Sequence, residues 1–174
     1  MLTKDNTYAV MRLFFDAPEK SFHIREIARL TKLSAPGVLK IISKLKKENL
    51  VTSRRENIIE AVRASKTERF FRLKTYYNIE KLFESGLITA IRNSYQEPEA
   101  IVLFGSAAKG EDTSESDVDI AVVAPKEIEF STAKFEKVLK KKINIYAVKT
   151  KTAEPAFLNS LANGIVLFGF LKVV

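Results

Sequence analysis

"LFGSAAKGEDTSESDVDIAVV", residues 103–123, starts as an apolar run, turns at Gly105-Ser106, crosses a polar loop and ends in a second apolar run carrying Asp117 and Asp119. Strand interiors are normally depleted of aspartate. Side chains at i and i+2 of a strand leave the same face, so the two carboxylates point one way while Val118 and Ile120 point the other. Like charges so placed repel unless a cation neutralises them. Oxygen-only ligands suit Mg²⁺, which usually takes one or two protein carboxylates and fills its shell with water and substrate phosphate. Gly105, lacking a Cβ, lets backbone approach a ligand, and Ser106 opens a short helix through Lys109 that offers N–H groups and a hydroxyl to an anion. Lys109 places a cation nearby.

A strand, Gly-Ser, ten intervening residues and Asp-x-Asp on a neighbouring strand closely resembles the DNA polymerase beta-like nucleotidyltransferase superfamily, in particular its minimal domains. The resemblance runs from about residue 99 to 169, including a helix followed by "GIVLFG" (164–169). It implies that Gly105 and Ser106, with Lys109 beside them, bind the phosphates of ATP or another nucleoside triphosphate. It also implies that Asp117 and Asp119 are the catalytic, Mg²⁺-ligating pair. The superfamily usually brings a third carboxylate from the next strand, here "KKINIYAV" (141–148), where Asn144 stands in its place. An amide oxygen can ligate a cation but is no general base. Transfer is then slow, depends on another base, or is absent. Glu111, Asp112 and Glu115 are expected to be solvated loop carboxylates, Glu129 and Glu136 to lie on a helix covering the sheet, and Lys140–Lys142 to form a solvated helix end that favours the helix dipole.

The N-terminal half reads differently. Apolar residues at helical spacing over residues 2–16 predict a first helix, stopped at Ala17-Pro18. "SFHIREIARLTKLSAPGVLKIISKLKKENLVTSRRE" (21–56) predicts a short helix over 24–30, a turn, and a longer helix over 35–48. Ser34 is its expected N-cap, Pro36 sits in its first turn, and Val38, Leu39, Ile41, Ile42 and Leu45 form its expected buried stripe. With β-capable runs following, this order resembles a winged helix-turn-helix. Residues 21–55 hold nine basic and two acidic side chains. The resemblance and the charge point to duplex DNA, with Arg25, Ser34, Lys40, Lys44, Lys47, Arg54 and Arg55 as candidate contacts; a protein-protein module is the alternative. His23, the only histidine, has no companion ligands.

Residues 66–95 are helical in pattern, with an interruption at Ser85-Gly86. Their aromatics (Phe70, Phe71, Tyr76, Tyr77) suit core packing or a homodimer surface better than base stacking. The expected fold class is α+β: a winged helix-turn-helix domain (1–65), a helical connector (66–96), and a nucleotidyltransferase-like mixed sheet flanked by helices (97–174).

Charge follows the same division. Lys+Arg against Asp+Glu is 12 to 7 over residues 1–60, 7 to 3 over 61–95 and 10 to 11 over 96–174, so the net +8 belongs to the first two segments. The chain has no cysteine, which excludes disulfides, thiolate metal sites and thiol nucleophiles. No run reaches the roughly 20 apolar residues of a membrane helix, and no signal peptide is evident, so a cytoplasmic protein is expected. Two functions fit: a DNA-docked Mg²⁺-dependent transferase acting on an unidentified hydroxyl acceptor, or a transcriptional or antitoxin-like regulator whose second domain only senses nucleotide or mediates assembly. An RNA acceptor held by the winged helix is a third.

Overall fold

The computed structural model describes residues 5–56 and 59–172. The chain divides into two compact units, Met1–Lys74 and Thr75–Val174.

In the first unit, α1 (Asn6–Asp16) starts where the Asp5 carboxylate accepts a hydrogen bond from the Tyr8 amide, satisfying one of the helix's orphan donors. The part of the expected first helix before residue 5 lies outside the described residues. A three-residue strand, β1 (Ser21–His23), runs directly into α2 (Ile24–Thr31), and Lys32 ends that helix in the left-handed conformation. Ser34 caps α3 (Ala35–Lys47) as expected, its hydroxyl accepting from the Gly37 amide. β2 (Val51–Glu56) and β3 (Ile59–Ala64) are antiparallel, and β1 joins them in the order β1-β3-β2. β1 was not expected, because three residues are too few to show a period. Val10, Phe14, Phe22, Ile27, Val38, Ile42, Leu45 and Val62 are buried in this unit. The stripe on α3 is narrower than expected: Ile41 is half-buried and Leu39 is 47% exposed.

The helix α4 (Glu68–Glu84) crosses the boundary between the units, and Gly86, left-handed at φ +77°, separates it from α5 (Leu87–Ser94). The stretch expected as a connector is therefore shared. Phe70 and Tyr77 are buried, in keeping with core packing, whereas Tyr76 faces outward.

The second unit is built on β4 (Ala100–Phe104), α6 (Gly105–Lys109), β5 (Val118–Val123), α7 (Ala133–Leu139), β6 (Ile143–Val148), α8 (Pro155–Ala162) and β7 (Ile165–Gly169). The sheet runs β6-β5-β4-β7, with β5 and β6 parallel and the other pairs antiparallel. Alternation splits its side chains between two cores. Ile101, Leu103, Val118, Ile120, Val122 and Ile143 pack with Leu87, Ile88 and Ile91 of α5 and with Phe135 and Leu139 of α7. Ala100, Val102, Ala121, Val123 and Val148 pack with Leu161 of α8 on the opposite face. Glu136 lies on α7 as expected, but Glu129 precedes that helix.

β7 is drawn tightly onto β4 at Gly169, whose φ is +72° and where a Cβ would meet the Glu99 carbonyl oxygen at 2.0 Å. Gly169→Ala is expected to lower the unfolding free energy by about 2 kcal/mol or more, from left-handed strain and forced separation together. Urea denaturation measures it.

Candidate nucleotide and metal site

Three neighbouring strands converge on one point. In the antiparallel pair β4–β5, Phe104 stands opposite Asp119; in the parallel pair β5–β6, Asp119 stands beside Asn144. Gly105 follows Phe104 with φ +70°, and a Cβ on it would lie 2.9 Å from Oδ2 of Asp119. A side chain there would occupy the space in front of the carboxylate as well as straining the backbone. Glycine at this position thus keeps the turn from β4 into α6 and the Asp119 carboxylate compatible. Ser106 is half-buried on α6 and Lys109 is exposed at its end.

Asp117 immediately precedes β5 and Asp119 is its second residue, so both project toward the same side. The Asn144 amide nitrogen donates to Oδ2 of Asp117 at 3.2 Å and to Oδ1 of Asp119 at 2.9 Å, spanning the pair. The amide thereby supplies to both carboxylates the hydrogen bonds that a third carboxylate could not. The Tyr146 hydroxyl, two residues along β6, donates to Oδ1 of Asp119 at 3.5 Å. Burial, and then the Asp119 carboxylate, push the Tyr146 phenol above its ordinary value of 10.0, so it stays protonated near neutral pH. Lys142 Nζ stands 3.9 Å from Oδ2 of Asp117, both side chains being well exposed.

The donor set tests the fit to a cation. Among the described residues no group of three or more His, Cys, Asp or Glu is placed to hold a metal. Two carboxylates and an amide remain, all able to offer oxygen, which fits Mg²⁺ with water and phosphate completing its shell. The two carboxylates contribute −2, where three would contribute −3, and Lys142 stands beside Asp117.

The loop that delivers Asp117 is fastened by residues whose charge made them look solvated. Asp112 is only 1% exposed; it pairs with Lys141 Nζ at 3.0 Å and accepts from the Asn78 amide at 2.7 Å. Lys141, 13% exposed, also donates to the backbone carbonyls of Thr113 and Ser116. It lies past the end of α7, at Leu139, and is no solvated helix end. Asn78 further donates to the Ala107 carbonyl, and the Thr75 hydroxyl to that of Ala108, holding α6 from α4. No local pattern predicts burial for Asp112 or Lys141; each is tolerated inside only because the other is there.

In the first unit, Lys40, Lys44 and Lys47 are exposed along α3 at spacings that place them on one face. Arg25 on α2 and Arg54 on β2 are exposed; Arg55 is in β2, and its side chain lies outside the described residues. Ser34 is occupied as the α3 cap. Lys46, by contrast, is tied to the Ser53 hydroxyl and the Glu60 carboxylate.

Removing one member of the buried ion pair should be costly. Asp112→Ala leaves Lys141 without its carboxylate and is expected to destabilise the protein by about 3–5 kcal/mol, whereas Asp112→Leu combined with Lys141→Met recovers most of that loss. Chemical denaturation of the two variants provides the comparison.

Residues 87–170 match the family model described as Polymerase beta, Nucleotidyltransferase. Among solved structures, the toxin-antitoxin MntA-HpeT mutant shares 20% identity, with 50% of this chain and 73% of that chain covered and a TM-score of 0.41. A toxin-antitoxin with AMP-PNP shares 24% identity over the same fractions, with a TM-score of 0.42. No curated protein matches the chain, and no helix among the described residues is long and apolar enough to cross a membrane. The match to a polymerase beta-like nucleotidyltransferase domain thus lies wholly within the second unit of this chain.

Proposed function

We propose that the chain binds a Mg²⁺-nucleoside triphosphate in its second unit and duplex DNA through its first. The observation that carries the nucleotide reading is that Asp117 and Asp119 converge on Asn144, with Gly105, whose missing Cβ leaves space, directly before Asp119. Gly105 and Ser106 hold the triphosphate through backbone and hydroxyl, Lys109 adds positive charge, and Asp117 and Asp119, with Asn144 beside them, hold the cation. Bound Mg²⁺ supplies charge neutralisation and Lewis-acid polarisation of the phosphates. With a cation held by Asp117 and Asp119, the site would support transfer of a nucleoside monophosphate to a hydroxyl: the hydroxyl oxygen bonds the α-phosphorus, the bond from that phosphorus to pyrophosphate breaks, and the hydroxyl proton passes to solvent water.

The residues around the pair set the rate of that reaction. Asn144 takes no proton, and Tyr146, held protonated, is no base at neutral pH. The Asn144 amide bonds to both carboxylates, so a cation competes with it for the same oxygens. These observations favour slow transfer, and they equally support a regulator whose nucleotide domain senses rather than transfers.

The DNA reading rests on the exposed lysines of α3 and on the element order β1, α2, α3, β2, β3, which supports reading this unit as a winged helix-turn-helix. Phosphate neutralisation by such lysines makes binding steeply salt-dependent.

Two measurements test the proposal. Calorimetry with ATP should show uptake that requires Mg²⁺, falls at least tenfold in Asp119→Ala and disappears with a chelator; uptake unaffected by either change contradicts the assigned site. For DNA, Lys44→Ala with Lys47→Ala should weaken duplex binding and flatten the slope of log affinity against log salt by about 2, near 0.9 for each phosphate that a lysine no longer neutralises. A slope unchanged in the variant removes these lysines from the interface.

A further inference from the structure

β6 lies at the edge of its sheet, and a cavity of about 590 Å³ opens beside it, bordered by Tyr146, Ala147, Lys149, Thr152, Glu154 and Phe157. That volume falls in the range of small-molecule sites. Tyr146 belongs both to this cavity and to the carboxylate site: its ring forms part of the wall, while its hydroxyl reaches Asp119. Tyr146 and Phe157 form the cavity's aromatic side, and Phe104 packs against both. Tyr146 meets Phe104 at 5.5 Å between ring centroids and Phe157 at 6.0 Å, and Phe104 meets Phe157 edge-on at 5.6 Å. Phe104 is the residue before Gly105, so the turn assigned to phosphate and this wall share one strand end.

The cavity also presents hydrogen-bonding groups. The Lys142 and Val148 carbonyls accept from the Val118 and Ala124 amides, so the even-numbered residues of β6 turn their backbone toward β5. By alternation, the N–H and carbonyl of Ala147 turn to the open edge, where no strand among the described residues pairs with them. One donor and one acceptor thus sit beside the aromatic wall. Charge narrows the occupant: Glu127 and Glu154 against Lys149 leave this cavity with no excess positive charge for a phosphate or a nucleic-acid backbone.

We propose that this cavity is the base subsite of the nucleotide site and that it takes a purine, stacked on the Tyr146–Phe157 wall with its polar edge on the Ala147 backbone. The inference rests on the triphosphate reading above and extends it from the phosphates to the base. A purine offers the larger face for stacking, and its edge carries both a donor and an acceptor to match Ala147. A triphosphate held at Asp117 and Asp119 needs only to extend past Tyr146 for its base to enter.

The test uses the full chain with Mg²⁺ and compares ATP, GTP, CTP, UTP and inorganic tripolyphosphate by calorimetry. Wild type should bind ATP or GTP at least tenfold more tightly than tripolyphosphate, and more tightly than CTP or UTP. Phe157→Ala should weaken purine nucleotide binding by about tenfold, as expected for loss of base stacking on one ring, and leave tripolyphosphate binding unchanged. Unchanged tripolyphosphate binding also shows that the variant is folded. Ala147→Pro removes the edge N–H at a place where sheets tolerate proline, while restricting the backbone of Tyr146 before it, and should erase the purine preference. The inference is overturned if wild type binds tripolyphosphate as tightly as ATP, or if Phe157→Ala leaves the ratio between them unchanged. If neither ligand binds, the triphosphate reading itself fails and this one falls with it.

Discussion

The second unit depends on how close the Asp119 carboxylate comes to the backbone of the neighbouring strand end. Register puts Phe104, Asp119 and Asn144 side by side across β4, β5 and β6, and the residue after Phe104 must then turn away within reach of Asp119 Oδ2. Only a residue without a Cβ and at ease at φ +70° satisfies both demands. A shift of one residue in the register of β5 would move Asp119 to the face covered by α5 and α7, against Ile101 and Leu103, and turn Ile120 out of that core. The apolar alternation that fills the two cores is therefore the same constraint that aims the carboxylates.

Position along the strand is not enough, because Asp117 lies just outside the ladder and needs a loop of defined shape. That shape comes from Lys141, whose ammonium gathers the Asp112 carboxylate and the carbonyls of Thr113 and Ser116. A buried ion pair is weak evidence of net stability, since desolvation offsets much of its attraction. What it does supply is direction: the loop has one arrangement in which every one of these groups is satisfied. Asn78 extends the same network to α6, so both arms of the site are held by hydrogen bonds that start from α4 or from the residue before Lys142.

Much of this was legible in the sequence, and what was not has identifiable causes. The Gly-Ser turn, the Asp-x-Asp and the polar loop between them could be read because glycine, strand aspartate and alternation each carry a local physical meaning. Ser34 announced α3 because an N-cap is a local hydrogen bond. Asp112 and Lys141 could not be read, since each alone looks solvated and only their pairing across 29 positions makes burial tolerable. Leu39 was misplaced because a stripe of adjacent apolar residues on a helix covers more arc than one packing face. Tyr146 did leave a signal. Two residues beyond Asn144 on one strand, it had to share that residue's face, and the same alternation rule that paired the aspartates would have found it.

Asn144 is where the structure says most about the balance between binding and reaction. Aspartate at that point would set three carboxylates together, a state of high charge that demands cations and provides a base. Asparagine satisfies the pair through its own N–H groups, so the site is electrostatically tolerable without any ion. The consequence is a trade. Lower negative charge weakens the pull on a divalent cation, and the amide must give up its bonds when one enters. In return, Asn144 holds both carboxylates in place, and entry of a cation at the proposed site would require its release from Asp117 and Asp119. A domain that needs only to report whether a nucleotide is present gains from such coupling, whereas a fast transferase loses by it.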